Sequence, residues 1–376
     1  MQKHPLKLNL LLSVVSIFVS ILVCEVLVRV INNKTIFSLE NWVTTKLEER
    51  TNTLTAEYDS TLGWRAIPNL SLLGDSANNP DAPDYSHLRV NTNGYGYRFT
   101  GSASGSGGPR ILVVGNSFTW GSEVSDTETY PAYLASFLNN SEVINAAYGG
   151  WGTDQIWLRA KDVAQREKPH VLIISPLTND LLRNAFRRYG RAFKPHYSLD
   201  DDGKLKLFNV PVPRNSSAPR DIGWFQSLLG RFYIATAIAN SLGLQEVWIN
   251  HNRLNDRVHT NETAVSIGCA LVKEAKDWQI ETKVNVVFVL LYGGHEVLNG
   301  ERYWFTKQYV KCIEEAGLPL IDLYDTLLER SKTKDFPANT YRIWKSGSTA
   351  HMSPSGNYHV AEIIFEGLDN LGLLNK

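Results

Sequence analysis

The sequence predicts an α/β fold with a mainly parallel sheet, and three observations carry that prediction. Residues 111–114, 171–174 and 284–291 are short apolar runs rich in β-branched side chains, the pattern of strands covered on both faces. Residues 130–138 and 358–368 carry apolar side chains at helical spacing. Polar residues able to do chemistry stand just after the runs, at the carboxyl edge where such sheets place their sites.

From the N-terminus, residues 8–28 are nearly all apolar, interrupted by Asn9, a few serines, Cys24 and Glu25. That is close to the roughly 20 residues a helix needs to cross a bilayer. Lys3 and Lys7 precede the run and favour a cytoplasmic N-terminus, although Arg29 and Lys34 behind it weaken the asymmetry. No small-x-small cleavage site follows, so an uncleaved anchor over 1–34 is expected in preference to a cleaved signal peptide. Val23 is too bulky for Cys24 to read as a lipoprotein site. Glu25 is costly in lipid unless it lies near the interface and pairs with Arg29, one helical turn on.

Residues 35–108 read as a lead-in region. It contains Asp59-Ser60-Thr61-Leu62-Gly63-Trp64-Arg65 and Leu88-Arg89-Val90-Asn91-Thr92-Asn93-Gly94-Tyr95-Gly96-Tyr97-Arg98. Residues 88–91 alternate as a short edge strand does, and Asn93-Gly94 signals a turn. The Gly/Ser-rich stretch 102–109 is expected as a linker and boundary, with the main domain at 109–376. Within it, 182–282 looks like an insertion. It opens with Arg183, Arg187, Arg188 and Arg191, expected as a solvated helix face. Residues 199–207 read as a hairpin turn entering a strand. Residues 227–248 read as a packed surface helix, not a second span, because Arg231 and several polar residues interrupt it.

Composition narrows the function. Lys+Arg and Asp+Glu both number 38, so the basic footprint of a nucleic-acid binder is missing. Cys24, Cys269 and Cys312 have no metal spacing, and no cluster of histidines, cysteines and carboxylates suggests a metal; no cofactor is expected. In an oxidising compartment Cys269 and Cys312 are able to pair, which the sequence leaves open.

The chemistry gathers in four segments. Ile111-Leu112-Val113-Val114-Gly115-Asn116-Ser117 puts a serine at a strand-to-helix turn, as a nucleophile or simply as a helix cap. Val143-Ile144-Asn145-Ala146-Ala147-Tyr148-Gly149-Gly150-Trp151-Gly152 is a strand breaking into a glycine-rich loop. Val171-Leu172-Ile173-Ile174-Ser175-Pro176-Leu177-Thr178-Asn179-Asp180 is a buried strand ending in Asn-Asp. Ala350-His351-Met352-Ser353-Pro354-Ser355-Gly356-Asn357 leads into the last helix.

Together and in this order, from about Arg110 to Leu368, the four segments resemble the SGNH, or GDSL, hydrolase family. The resemblance implies a three-layer α/β/α domain behind the anchor, with Ser117 as nucleophile and His351 as general base. Oxyanion donors would be the N–H groups of Ser117 and Gly150 and the side-chain amide of Asn179. A serine hydroxyl needs a base to take its proton during attack, and each preorganised oxyanion donor is worth roughly 3 kcal/mol of barrier. It also implies acyl transfer from an acylated carbohydrate or a lipid ester, with acetyl groups of envelope glycans the expected target. A single-pass inner-membrane protein with a periplasmic domain, in contact with envelope polysaccharide machinery, would follow. Trp120, Tyr148 and Trp151 flank the segments, and one or two of these rings are expected to meet substrate.

Two positions depart from the family. Asn116 stands where it usually has Asp, and Asn also accepts from backbone N–H groups. More seriously, the family's orienting Asp before the histidine is replaced by Ser348 and Thr349, and losing such an acid can cost about four orders of magnitude in rate. Three readings stay open: a Ser117–His351 dyad with the ring held by Ser348 or a carbonyl, a carboxylate supplied from elsewhere, or an impaired site in a glycan-binding or assembly protein. For the second, Asp180 and Glu296 are candidates, and His295 beside Glu296 is a further residue able to line the site. A lipase-like acylhydrolase is the other alternative.

Overall fold

The computed structural model describes residues 5–38, 40–43, 55–74, 87–101, 107–138, 140–190, 192–214, 223–244, 248, 255–344 and 347–374. The chain divides into two compact units, one of Met1–Asn52 with Ser216–Leu254 and one of Thr53–Asn215 with Asn255–Lys376. This differs from the expected boundary in the 102–109 stretch, of which 102–106 lie outside the described residues. The described lead-in residues from Thr55 onward fold with the main domain.

The first unit holds helix α1 (Pro5–Ile31). Residues 8–24 are all exposed, and from Leu8 to Ile31 the helix is long and apolar enough to cross a membrane. The short helix Tyr233–Ser241 packs against its C-terminal turns, and a second short helix, Trp224–Leu229, is held through Asn41. The single helix expected over 227–248 is therefore broken. Gly230 ends the first helix, where a Cβ would lie 2.5 Å from Asn41 Oδ1 and 2.4 Å from Gln226 O, and the extended backbone of Phe232 (φ −98°, ψ 117°) separates it from the second.

The second unit is built on a five-stranded sheet. In chain order it contains β1 (Arg110–Gly115), α2 (Ser117–Trp120), α3 (Tyr130–Phe137), β2 (Glu142–Asn145), α4 (Thr153–Glu167), β3 (Val171–Ser175), α5 (Asn261–Thr282), β4 (Asn285–Leu290), α6 (Trp304–Glu315), β5 (Leu320–Asp322) and α7 (Pro354–Asn370). The strand order is β2-β1-β3-β4-β5 and every pairing is parallel. Positions 111–115, 171–175 and 286–290 are buried without interruption, so helices must cover both faces. Helix α5 packs with both α4 and α6, and α3 packs with α7. That is the three-layer α/β/α arrangement expected.

The 182–282 insertion divides into parts with different roles. Helix α5 is a core element, with Ala264, Val265, Ile267, Leu271, Val272 and Ala275 buried, and Cys269 on it is disulfide-bonded to Cys312 on α6. His196–Leu199 and Leu205–Phe208 form the expected hairpin. The arginines are not one solvated face: Arg183 pairs with Asp180, Arg187 pairs with Asp256, and Arg188 lies over the Phe193 ring, while Arg191 lies outside the described residues.

The order β2-β1-β3 contains a topological switch. The chain runs from β1 to β2 on one side and then crosses back to β3 on the other, which opens a crevice at the carboxyl ends of β1 and β3. Ser117 follows β1 and Asn179 follows β3, so the fold brings both to that crevice.

Candidate active site

The turn after β1 is tight because Gly115 leaves no room for a side chain. A Cβ there would meet Thr119 Oγ1 at 2.1 Å and Ser175 O at 2.3 Å. Asn116 caps α2, its Oδ1 accepting from Phe118 N at 2.9 Å. Its Nδ2 donates to Asp180 Oδ1 at 3.1 Å. The amide thus satisfies a backbone donor and a carboxylate at once, and only the first is expected from sequence. The Asp180 carboxyl is fully buried, which pushes its pKa up to about 6 against the opposing pull of Arg183, Asn116 and the Leu177 N–H.

Ser117, half-buried at the start of α2, receives His351 directly. His351 Nε2 lies 2.9 Å from Ser117 Oγ. The imidazole comes from the short strand Thr349–Met352, which pairs with Tyr341–Ile343 immediately before α7.

On the far side of the ring stands Glu123, with Oε1 3.1 Å from His351 Nδ1. The two atoms stand at hydrogen-bonding distance, although the ring N–H is not aimed straight at the carboxylate oxygen. Glu123 is buried and also accepts from Trp344 Nε1 and from the His351 backbone N–H, both at 3.3 Å. Burial alone would raise its pKa, but the imidazole and these donors hold the carboxyl below its usual range.

The loop carrying Glu123 is built for that placement. Helix α2 ends after one turn at Gly121, whose φ of 81° reverses the chain, and a side chain there would strike Thr129. Glu123 itself has φ 69°, a conformation that side-chain-bearing residues adopt at a cost of about 1 kcal/mol. Arg98 fixes the loop from below. Its buried guanidinium donates to the carbonyls of Trp120 (2.9 Å), Gly121 (2.6 Å) and Val124 (2.7 Å) and pairs with Asp126 at 3.0 Å.

The glycine-rich loop after β2 is held by the lead-in region. Trp64 Nε1 donates to Gly149 O at 2.9 Å, and Trp151 Nε1 donates to Trp64 O at 3.1 Å. Gly149 sits with its Cα hydrogens toward Ser117, where an added Cβ would touch the Ser117 Cβ at 3.6 Å, and Gly150 takes φ 79°.

A GDSL-like lipase/acylhydrolase family model matches residues 113–358, which is 246 of the 376 residues. The chain belongs to this family. Solved structures similar to it include an acetyl xylan esterase, AlAXEase (13% identity, 69% of this chain and 99% of that one, TM-score 0.40). Others are a lipase/acylhydrolase from Enterococcus faecalis (16%, 70% and 96%, 0.36) and TesA (12%, 70% and 99%, 0.37). No curated protein sequence matches it.

As a GDSL hydrolase, the protein places its sequence-predicted residues unevenly. Ser117 and His351 come together as expected. Asn179 is exposed just beyond β3 at the same sheet edge, and Gly150 lies in the loop facing Ser117. Neither Asp180 nor Glu296 supports the histidine. Asp180 is bound to Asn116 and Arg183, and Glu296 accepts from Thr178, Thr306 and the Tyr303 N–H. His295 is exposed and contacts Asn299. The group beside Nδ1 is Glu123 and not Ser348, whose carbonyl accepts from Trp344 N.

The aromatic expectation also needs correction. Trp120, Tyr148 and Trp151 are 5%, 5% and 1% exposed. Trp120 and Trp151 pack against Tyr148, and Arg98 lies over Trp120. These rings shape the core beneath the loops and present almost no face to a ligand.

Sequence reading misses Glu123 because it seeks the acid next to the histidine in the chain. The available signal is Gly121, a turn residue placed one helical turn after the serine, with the first downstream carboxylate two residues beyond it.

Proposed function

We propose that this esterase works through a Ser117 acyl-enzyme, with His351 as general base and Glu123 as the acid that orients and stabilises the imidazole. The observation that carries the reading is the continuous array Glu123–His351–Ser117, with contacts of 3.1 and 2.9 Å. In attack, Ser117 Oγ bonds the ester carbonyl carbon while its proton passes to His351 Nε2. The N–H groups of Ser117 and Gly150 and the Asn179 amide receive the oxyanion. Collapse expels the alkoxide, which takes the proton from the imidazolium. Water or a sugar hydroxyl then repeats the sequence and releases the acyl group. Glu123 offsets the imidazolium charge in both halves.

The substrate we assign is an acyl ester, above all an acetyl ester, of a cell-envelope glycan, either hydrolysed or passed to another hydroxyl. Two features support that setting. Helix α1 has the length and exposed apolar surface of a single-pass anchor, with Lys3 and Lys7 before the apolar stretch that starts at Leu8. The Cys269–Cys312 disulfide suits an oxidising compartment outside the cytoplasm. The impaired-site alternative drew its support from the missing acid, and Glu123 removes that support.

The test uses the full-length protein in detergent with p-nitrophenyl acetate, and Ser117→Ala as control. Nitrophenolate release, together with an acetyl adduct on Ser117 by mass spectrometry, is expected, both abolished by the substitution. Folded protein with no release and no adduct on acetyl or longer acyl esters would overturn the reading.

A further inference from the structure

The segment 223–244 contains one charged residue, Arg231, yet much of its apolar surface faces outward. Trp224 is 78% exposed, Phe225 52% and Leu228 57% on one helix; Ile238 at 52% and Leu242 at 66% follow on and just beyond the next. Trp224 with Leu228, and Ile238 with Leu242, stand four residues apart, so each pair shares a face. A helix on a water-facing surface carries polar residues on its outer face and apolar ones toward the core. Here Gln226, Tyr233, Thr236 and Ala239 are turned inward, while Trp224, Phe225, Leu228, Ile238 and Leu242 face outward.

The inward contacts tie this segment to one level of α1. Glu25 and Arg29 are buried, in contrast to the exposed apolar residues before them, and are bonded at 2.5 Å. Glu25 also accepts from the N–H groups of Tyr233 and Ile234 at 2.7 and 2.9 Å, capping the Tyr233–Ser241 helix with its charge. Arg29 donates to the carbonyls of Thr35, Ile36, Ser38 and Arg231. Trp42 packs edge-on against Tyr233, and Asn41 donates to the carbonyls of Gln226 and Ser227.

The level follows from the helix rise. At 1.5 Å per residue, Glu25 and Arg29 lie about 26 and 32 Å along α1 from Leu8. The hydrocarbon layer is about 30 Å thick, so the pair marks its far boundary. The exposed apolar side chains of the two short helices begin at that boundary, continuous with the lipid-facing surface of α1.

We infer that the two short helices of residues 223–244 form a membrane-interface wedge, docked on the outer end of α1 with Trp224, Phe225, Leu228, Ile238 and Leu242 inserted into the lipid. The occupant of this apolar face is the bilayer. Its indole and phenyl rings suit the interfacial zone, and Arg231, exposed between the helices, is placed to meet headgroup phosphates. The wedge gives the anchor a second point of attachment. The inference rests on α1 being a membrane anchor.

The test places single cysteines in the full-length chain on a Cys24→Ser background, which leaves the Cys269–Cys312 disulfide intact. Leu228→Cys and Leu242→Cys are labelled with nitrobenzoxadiazole and the protein is reconstituted in phosphatidylcholine/phosphatidylglycerol nanodiscs. Val15→Cys, on the exposed apolar stretch of α1, is the lipid reference, and Asp202→Cys, in an exposed hairpin turn, the aqueous one. Quenching by nitroxide-bearing lipid and by aqueous iodide is read for each. The wedge predicts that the 228 and 242 labels lose most of their emission to nitroxide lipid and are shielded from iodide, as the label at position 15 is. Iodide quenching equal to that at 202 would overturn it while the anchor stands. Shielding from both quenchers would overturn it in favour of a protein contact. A label at position 15 insensitive to lipid nitroxide would overturn the anchor reading and the wedge with it.

Discussion

Replacing Asn116 by the Asp usual in the family should destabilise this protein, and do so in a pH-dependent way. The new carboxylate would stand about 3.1 Å from Asp180 Oδ1, where the amide now donates a hydrogen bond. Keeping both groups charged would cost about 5 kcal/mol at an effective dielectric of 20. Protonating Asp180 costs less, because its pKa in the folded state is already about 6: at pH 7 the cost is one pH unit, about 1.4 kcal/mol, and at pH 8 about 2.7 kcal/mol. The cheaper route wins, so the variant should lose about 1.4 kcal/mol at pH 7, about twice that at pH 8 and almost nothing below pH 6. The sign follows the raised pKa: the folded state holds a proton that the unfolded chain releases, so its advantage fades as pH rises. Thermal unfolding of the full-length protein at pH 5.5, 7 and 8 reads this directly, with about 3–6 °C expected at pH 7. A loss of the same size at pH 5.5 and pH 8 would refute the charge argument.

Other expectations concern the supports of the site. Arg98→Ala should cost about 3 kcal/mol, because it leaves Asp126 buried without its partner. It should also lower turnover by releasing the loop that carries Glu123; thermal unfolding and ester hydrolysis check the two effects, and Arg98→Lys should fail to restore either, since one ammonium cannot span three carbonyls and a carboxylate. Trp64→Phe removes the donor to Gly149 and should cost about 1 kcal/mol of stability, with turnover falling more than KM rises if Gly150 serves the oxyanion. Replacing Cys269 and Cys312 by serine opens a 43-residue separation and should cost about 4 kcal/mol by loop-closure entropy, read by denaturant unfolding with and without reductant.

The middle of the sheet was legible in the sequence because β1, β3 and β4 carry unbroken apolar runs, and the helices at 130–138 and 358–368 carry clear spacing. The nucleophile and base were legible because each follows a strand or precedes a helix in a fixed chain order. The supporting acid was not. Its position depends on Gly121 reversing the chain and on Arg98 gathering carbonyls from a loop 22 to 26 residues away, and neither relation leaves a periodic trace. The same holds for the lead-in motifs. Trp64 and Arg98 lie in the two lead-in segments singled out in the sequence, yet their work is to brace the loops at Gly149 and Glu123, which only the folded chain brings to them. The buried rings of Trp120, Tyr148 and Trp151 show the reverse error: closeness to site residues in the chain says nothing about which way a side chain faces.

The central claim is that Glu123 completes the array with His351 and Ser117. It is tested most directly by Glu123→Gln, which keeps the shape and removes the charge. The measurement is the rate at which Ser117 is acylated by p-nitrophenyl acetate under single-turnover conditions, for protein whose thermal unfolding confirms a native fold. A fall of about 10²- to 10⁴-fold is predicted. A rate within a factor of two of the unmodified protein would contradict the account and return the site to a Ser117–His351 dyad.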